Sequence, residues 1–338
     1  MKFTLHRTFN DLEPLAAEWN GLLAESVTHV PFLRYEYLSA WWATRGGGEW
    51  PASAELAIVT VHQDGRLAGI APLFFTVNQE AEPSLLLLGS IEISDYLDLI
   101  VRPEDVGSFL PGLLDFLPSL PFAWKNLDWH NLLENSPICT ALQTEAEKRN
   151  WTFDLEKTYH APSIPLTGDF ETYLAGIDKK QRHEIRRKMR RASELGGVDW
   201  YIVTDESALD AEVDAFLALM AADPEKAAFL TEVMRSQMHA AVHAAFEAGW
   251  LQLAFFTVNG EKAAGYLNFD YDNRIWVYNS GLDRRFMEYS PGWVLLGYLL
   301  QWANENKRSR FDFMRGNEDY KYRFGGVDKF VVRAKVTR

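Results

Sequence analysis

Two stretches of sequence, AIVTVHQDGRLAGIAPLFF over Ala57–Phe75 and AFFTVNGEKAAGYLNFDY over Ala254–Tyr271, decide how this chain is read. Thr60 and Val61 line up with Thr257 and Val258, a polar turn follows in each, and Ala68-Gly69 lines up with Ala264-Gly265. Each stretch is two runs of β-branched and aromatic residues around a glycine-containing turn, the signature of a β-hairpin. What comes next recurs as well. Each hairpin precedes a further strand, a Pro-Gly pair opening an apolar helix, and a strand with a central aspartate. In the first half these are Pro111-Gly112 and Leu127-Asp128-Trp129; in the second, Pro291-Gly292 and Phe311-Asp312-Phe313. The shared order, more than either hairpin alone, predicts an internal duplication.

Outside the repeats the pattern is helical. From Phe170 to Leu195, the residues Leu174, Ile177, Ile185, Met189, Ala192 and Leu195 recur at helical spacing, and Gly196-Gly197 supplies the stop. A second helical stretch lies between Ala208 and Gly249, with a break near Pro224. In the first half, helices are predicted at Leu12–Ala24, Tyr35–Thr44, Val106–Phe116 and Pro137–Arg149. Helices alternating with mainly antiparallel strands place the chain in the α/β (α+β) class.

A length of 338 residues exceeds one ordinary core and suits two domains of roughly 150 residues each. Hydrophobic residues make up 47% of the chain, which excludes a disordered protein on composition. The single cysteine, Cys139, excludes an internal disulfide framework and a cysteine-based zinc cluster. The first residues, MKFTLHRTFNDLEPL, lack the basic-then-apolar order of a secretory signal, and no run reaches the ~20 apolar residues of a membrane span. A cytoplasmic protein is expected.

The net charge of −13 argues against DNA as a partner, since a polyanion is repelled over most of such a surface. One segment runs against it: Lys179 to Arg191 holds eight of the 34 Lys and Arg residues and a single acid, Glu184. On a helix, Lys179, Arg182, Arg186 and Arg190 fall near one stripe. Such a comb suits the phosphates of an anionic donor, and equally a solvated face balancing an acidic protein. Asp312 sits mid-strand between two phenylalanines, where an unpaired carboxylate is costly. It is a candidate general base or the partner of Arg315 or Lys321. Tyr320 and Lys321 fall in a polar, turn-like segment and are candidates to protonate a leaving group or bind substrate oxygens. In the first half, Asp95, Tyr96 and Asp98 form a cluster fit for a cationic amine or sugar hydroxyls, or else an aspartate-stabilised turn.

The segment FDFMRGNEDYKYRFG over Phe311–Gly325, with the basic helix and the SDYLDL at Ser94–Leu99, resembles the GNAT acyltransferases. The resemblance is to the branch holding FemAB-like peptidyltransferases and CelD-like proteins of polysaccharide biosynthesis. It implies two tandem GNAT-like domains, each a mixed, mainly antiparallel sheet flanked by helices. The first, 1–155, is a degenerate copy; the second, 156–338, carries the chemistry. It implies an acyl group passed from acyl-CoA to an amine or hydroxyl of a small-molecule, polysaccharide or cell-envelope acceptor. It also implies that Tyr278 and Asn279, with Ser280, follow the strand whose exposed backbone holds the acyl arm.

GNAT domains cradle the coenzyme A pyrophosphate with a glycine-rich loop. Here Arg285–Gly292 carries a single glycine, which keeps an aminoacyl-tRNA donor or a non-catalytic binding module open as alternatives. Ser290 as N-cap, Pro291 at the first helical position and Gly292 behind it still direct backbone N–H groups at an anion. FemAB-like enzymes often carry a long helical coiled-coil insertion, which the pieces between Ala208 and Gly249 are too short to supply. His239 and His243 are four apart on a helix, but HAAVH lacks the glutamate of a zinc protease and no third ligand is evident in sequence, so no metal is expected. No Gly-x-Ser-x-Gly elbow is present, which disfavours a hydrolase.

Overall fold

The computed structural model describes all 338 residues. They divide into two compact units, one of residues 1–159 with 330–338 and one of residues 160–329. The chain is not cut once: its last strand, Phe330–Thr337, is built into a sheet of the first unit, between Asn126–Leu133 and Thr152–His160.

The first unit holds two sheets. One has four strands in the order Lys2–His6, Ile58–Gln63, Arg66–Ala71, Ile100–Val101. The other runs Glu55–Leu56, Leu73–Val77, Pro83–Leu87, Asn126–Leu133, Phe330–Thr337, Thr152–His160. The division falls at Pro72, between Ala71 and Leu73, where the missing N–H interrupts a ladder. Helices occupy Ala16–Ala24, Tyr35–Gly48, Val106–Phe116 and Pro137–Lys148, close to the sequence-based ranges. Pro111 and Gly112 lie inside Val106–Phe116 and do not open it; the helix begins one turn earlier, after Pro103–Asp105.

The second unit has one six-stranded sheet in the order Ser163–Pro165, Arg310–Asp312, Arg274–Leu282, Glu261–Tyr271, Leu251–Val258, Val198–Ile202. Both hairpins anticipated in sequence are present. Asp64-Gly65 and Asn259-Gly260 take positive φ at both central positions, the turn that matches strand twist. Each hairpin's first strand pairs with an edge strand, Lys2–His6 or Val198–Ile202. Each unit then has a parallel pair bridged by a helical crossover. Ser84 is opposite Asn126 in one, and Arg274–Trp276 is opposite Arg310–Asp312 in the other. Parallel neighbours need such a crossover, supplied by Val106–Phe116 and Pro291–Glu305. The chain is therefore a tandem repeat of one mixed, mainly antiparallel α/β unit.

In the second unit the sheet is sandwiched. On one face, Val294, Leu295, Leu299 and Leu300 of the Pro291 helix meet Phe256, Ala264, Ile275 and Val277. Each such side chain contributes roughly 1.5–3 kcal/mol on burial. The segment read as one helix from Phe170 is two, Phe170–Gly176 and Lys179–Leu195. The break is Asp178, whose carboxylate caps the second helix by accepting the N–H groups of Lys180 and Gln181. The basic helix docks through Ile185 and Ala192, and Met189 seats on Gly297, where a Cβ would stand 2.9 Å from its sulfur. The other face is covered by Leu209–Met220 and Glu232–Glu247. No helix is long and apolar enough to cross a membrane.

Candidate functional site

The Arg274–Leu282 strand and its parallel neighbour stay together for three residues only. They pair from Arg274–Trp276 against Arg310–Asp312. Beyond this the longer strand continues alongside Glu261–Tyr271, with a bulge at Tyr278: Leu267 is opposite Asn279, while Asn268 is opposite Val277. The shorter strand leaves the sheet's direction. Phe313 donates its N–H to Pro162 at 3.0 Å and Gly316 donates to His160 at 2.9 Å. A bulge in one strand and an early exit of the other open a notch between them.

A pocket of about 300 Å³ lies beside this notch. Its floor is Tyr266, Ser280 and Leu282; Ser290, Pro291, Gly292 and Trp293 form one wall, and Tyr320 and Lys188 others. The Pro291 helix opens here without a side-chain cap, because Ser290 is in the left-handed region with φ 52°. Val294 is the first residue to donate within the helix, to Ser290, so the N–H groups of Gly292 and Trp293 carry the positive end of the dipole. The Lys188 ammonium stands 4.0 Å from the Trp293 ring centroid.

Two tyrosines, Tyr266 and Tyr320, line the pocket. Neither hydroxyl is hydrogen-bonded to a protein atom, although the Tyr266 side chain is 5% exposed. Burial holds the Tyr320 phenol above its ordinary value, with the Glu318 carboxylate adding to it. Burial raises Tyr266 as well, and Tyr320 and Glu318 act in the same direction. Both are therefore neutral donors at physiological pH. Glu318 is positioned by Lys321, 2.9 Å away. Gly316 makes room for that pair: its φ is 123°, and a Cβ there would fall 2.2 Å from the Glu318 carboxylate and 2.6 Å from the Lys321 nitrogen.

The residues proposed from sequence separate into two groups. Tyr320, Ser290 and Gly292 meet at the pocket, with Ser280. Asn279 turns aside: its carbonyl oxygen accepts Lys226 at 2.9 Å and the Ser280 N–H at 2.8 Å. The Tyr278 ring packs against Phe269 in a tilted pair with centroids 5.1 Å apart. Lys321 is buried and donates to the Arg315 carbonyl at 2.7 Å, so it holds the loop and does not face the pocket. Arg315 is half-buried at the turn that Lys321 ties down. Asp312 is fully buried and pairs with Lys329 at 2.6 Å, while Met314 donates its N–H to the other oxygen at 2.9 Å. Lys329 is thus a cation at this carboxylate that the sequence reading did not offer.

The arginine comb is engaged in its own neighbourhood. Arg182 donates to the Ala175 carbonyl at 3.0 Å, Arg186 pairs with Glu171, and Arg190 lies 3.5 Å from Glu194. The helix residue that reaches the pocket is Lys188, and Lys180, His183, Glu184 and Arg187 line an open basic groove with Arg323. In the first unit, Asp95, Tyr96 and Asp98 are 4%, 0% and 0% exposed, so they do not form a surface cluster. Asp98 accepts Thr28 at 2.7 Å, Ser136 at 2.6 Å and the Leu99 N–H at 2.9 Å. Burial lifts its carboxyl to about 6 against these hydrogen bonds.

Residues 179–322, from the basic helix to the short helix after the notch, match the family described as the acetyltransferase (GNAT) domain. The chain's fold is similar to that of FemX, at 12% identity and a TM-score of 0.68, covering 99% of this chain and 97% of that one. It is also similar to a conserved protein of unknown function from Bacteroides thetaiotaomicron, at 14% identity and a TM-score of 0.63, over 100% of both chains. No curated protein matches the sequence.

Proposed function

We propose that the chain is a transferase of the N-acetyltransferase type, on the match of residues 179–322 to the GNAT acetyltransferase domain, and that the Tyr266–Tyr320 pocket is its acyl-transfer site. The donor in this reading is acyl-CoA, and the acceptor is an amine or hydroxyl of a small molecule or of a polysaccharide or cell-envelope precursor. The chemistry belongs to the second unit, 160–329, and the first, 1–159 with 330–338, is a degenerate copy. The observation that carries the reading is the convergence of two protonated phenols and an uncapped helix N-terminus on one largely apolar pocket.

Each part has a task in acyl transfer. The N–H groups of Gly292 and Trp293, with Lys188, suit donor phosphate in place of a glycine-rich loop. The apolar walls around Leu282 and Leu296 suit a thioester arm. The acceptor's nitrogen or oxygen attacks the acyl carbon and loses its proton to the Glu318 carboxylate, directly or through water. The carbon–sulfur bond then breaks, the thiolate takes the hydroxyl proton of Tyr320, and the proton held on Glu318 returns to the phenolate through water. Tyr266 donates to the carbonyl oxygen as negative charge grows on it. Titration calorimetry with acetyl-CoA and longer acyl-CoAs, and thiol release over a panel of amines and saccharides, test this. The reading fails if no acyl-CoA binds at millimolar concentration.

Aminoacyl-tRNA as donor is a second reading, favoured by the open groove of Lys180, Arg187 and Arg323. Against it, the segment between Leu209 and Glu247 is three separate helices with no long coiled pair. A band shift with charged tRNA at low salt decides: no retarded complex removes this reading.

A further inference from the structure

On the sheet face opposite the Pro291 helix, two helices place four ligand-type side chains against one another. Asp210 and Asp214 are four apart on Leu209–Met220, and His239 and His243 are four apart on Glu232–Glu247. One turn of helix stacks each pair on a single face, so packing the helices side by side brings the pairs together. The sequence hid this, since the third ligand is supplied from 29 residues before His239 by the fold. An Asp210 oxygen is 2.7 Å from His243 Nε2 and 3.5 Å from His239 Nδ1. One ligand atom from each of Asp210, His239 and His243 lies within 4.8 Å of the others.

We propose that Asp210, His239 and His243 bind one divalent transition-metal ion of the zinc class. Zinc holds imidazole nitrogen and carboxylate oxygen at about 2.0–2.2 Å, which for a tetrahedron separates donor atoms by about 3.3 Å. The observed spacings lie on either side of that value, so rotation of exposed side chains suffices to admit the ion. Two imidazoles select zinc, cobalt, nickel or copper over magnesium or calcium, which prefer all-oxygen sites. A further contact distinguishes this group from an ordinary pair of cross-helix ion pairs. The outer nitrogen of His239, Nε2, meets Asp214 at 3.0 Å. A carboxylate that accepts the outer N–H of a ligating imidazole fixes its tautomer and raises its basicity, and it recurs around metal-bound histidine. The side chains of Asp210 and Asp214 are 76% and 72% exposed, which gives an ion entry from solvent and leaves a fourth position for water. The ion would clamp the two helices without taking part in acyl transfer.

The test uses the full chain without a histidine tag, stripped by chelator and titrated with zinc chloride by calorimetry, with cobalt absorption in parallel. Expected are one equivalent of zinc bound at about 10 μM or tighter and the visible bands of near-tetrahedral cobalt. His239→Ala and His243→Ala should each weaken binding at least about 10-fold, and Asp214→Asn about 10-fold through the tautomer. Circular dichroism confirms that these exposed variants fold. No saturable binding below about 100 μM zinc, equal binding of magnesium, or unchanged affinity in the double histidine variant would overturn the assignment.

Discussion

Replacing Lys329 by alanine discriminates between the two roles open to Asp312, that of general base and that of scaffold. The Asp312 side chain has no solvent exposure, and the Lys329 ammonium at 2.6 Å balances its charge. Removing one partner of a buried ion pair costs about 3–5 kcal/mol, because the remaining charge loses compensation in a poorly polarisable surrounding. Lys329 keeps 26% of its side chain at the surface, so water can follow into the space and the lower end, about 3 kcal/mol, applies. With a urea m-value of about 2–3 kcal/mol/M, the unfolding midpoint should fall by about 1–1.5 M in tryptophan fluorescence. Replacing both partners, Asp312→Asn with Lys329→Met, should recover much of that loss, since neither charge remains to be buried. Turnover per folded molecule should stay within a few-fold of wild type in the double variant. Two results would refute this reasoning. One is a Lys329→Ala midpoint within about 0.2 M of wild type. The other is Asp312→Asn losing 100-fold or more in kcat, the order expected on loss of a general base, with an unchanged midpoint.

Tyr320→Phe should lower kcat by about 100-fold with KM for the donor little changed, and leave the melting temperature alone because its hydroxyl has no protein partner; thiol-release kinetics and calorimetry check both halves. Gly316→Ala should destabilise by about 1–3 kcal/mol and abolish activity, since the added methyl meets the Glu318 carboxylate at 2.2 Å in a backbone with φ 123°; a normal melting curve with full turnover would contradict the packing described. Asp98 gives a pH signature. Its carboxyl is lifted from 3.8 to about 6 by burial, so between those values the native chain holds a proton that the unfolded chain releases. Stability therefore falls as pH rises through about 4 to 6, by on the order of 3 kcal/mol from this group, and the deficit persists above that window. Asp98→Asn should remove this slope; a wild-type-minus-variant difference that is constant from about pH 4 to 7 would show that the carboxyl titrates normally.

The repeat was visible in sequence because it rests on local chemistry: Asp64-Gly65 and Asn259-Gly260 turns, alternating β-branched runs and apolar helices, each encoded within about a dozen residues. The site was half visible. Tyr320, Ser290 and Gly292, which line the candidate pocket, were legible because polar residues and a helix start stand out within the chain. Tyr266 was missed, since in AAGYLNF it reads as one more inward strand residue; that its hydroxyl ends at a pocket depends on the notch and on a helix 25 residues later. Lys188 was passed over for the arginines beside it. Which turn of a helix faces its neighbour is decided by Ile185, Met189 and Ala192 packing down, and Lys188 follows that edge to the pocket. The metal-type cluster needed a contact between helices that no spacing within one helix reveals.

The two central aspartates show how tertiary pairing overrides a tempting local reading. In the first repeat Asp128 is buried mid-strand, and Arg333 grips it at 2.7 and 2.8 Å while Asn78 donates at 2.7 Å. Burial pushes this carboxyl up, yet hydrogen bonds from His130 and Arg333 outweigh it and hold it below the usual range. In the second repeat Asp312 occupies the matching place and Lys329 answers it. Both cations come from one short C-terminal segment, four residues apart, and the chain passes from the second unit to the first between them. With no solvent exposure the Asp312 carboxylate is shut away from an acceptor, whereas that of Glu318 is 56% exposed, and the half with no Tyr320 counterpart keeps the same aspartate–cation pair. In the proposed reading the duplicated aspartate belongs to the scaffold, and the chemistry belongs to what the second copy adds to it: the notch, the uncapped helix and the two phenols.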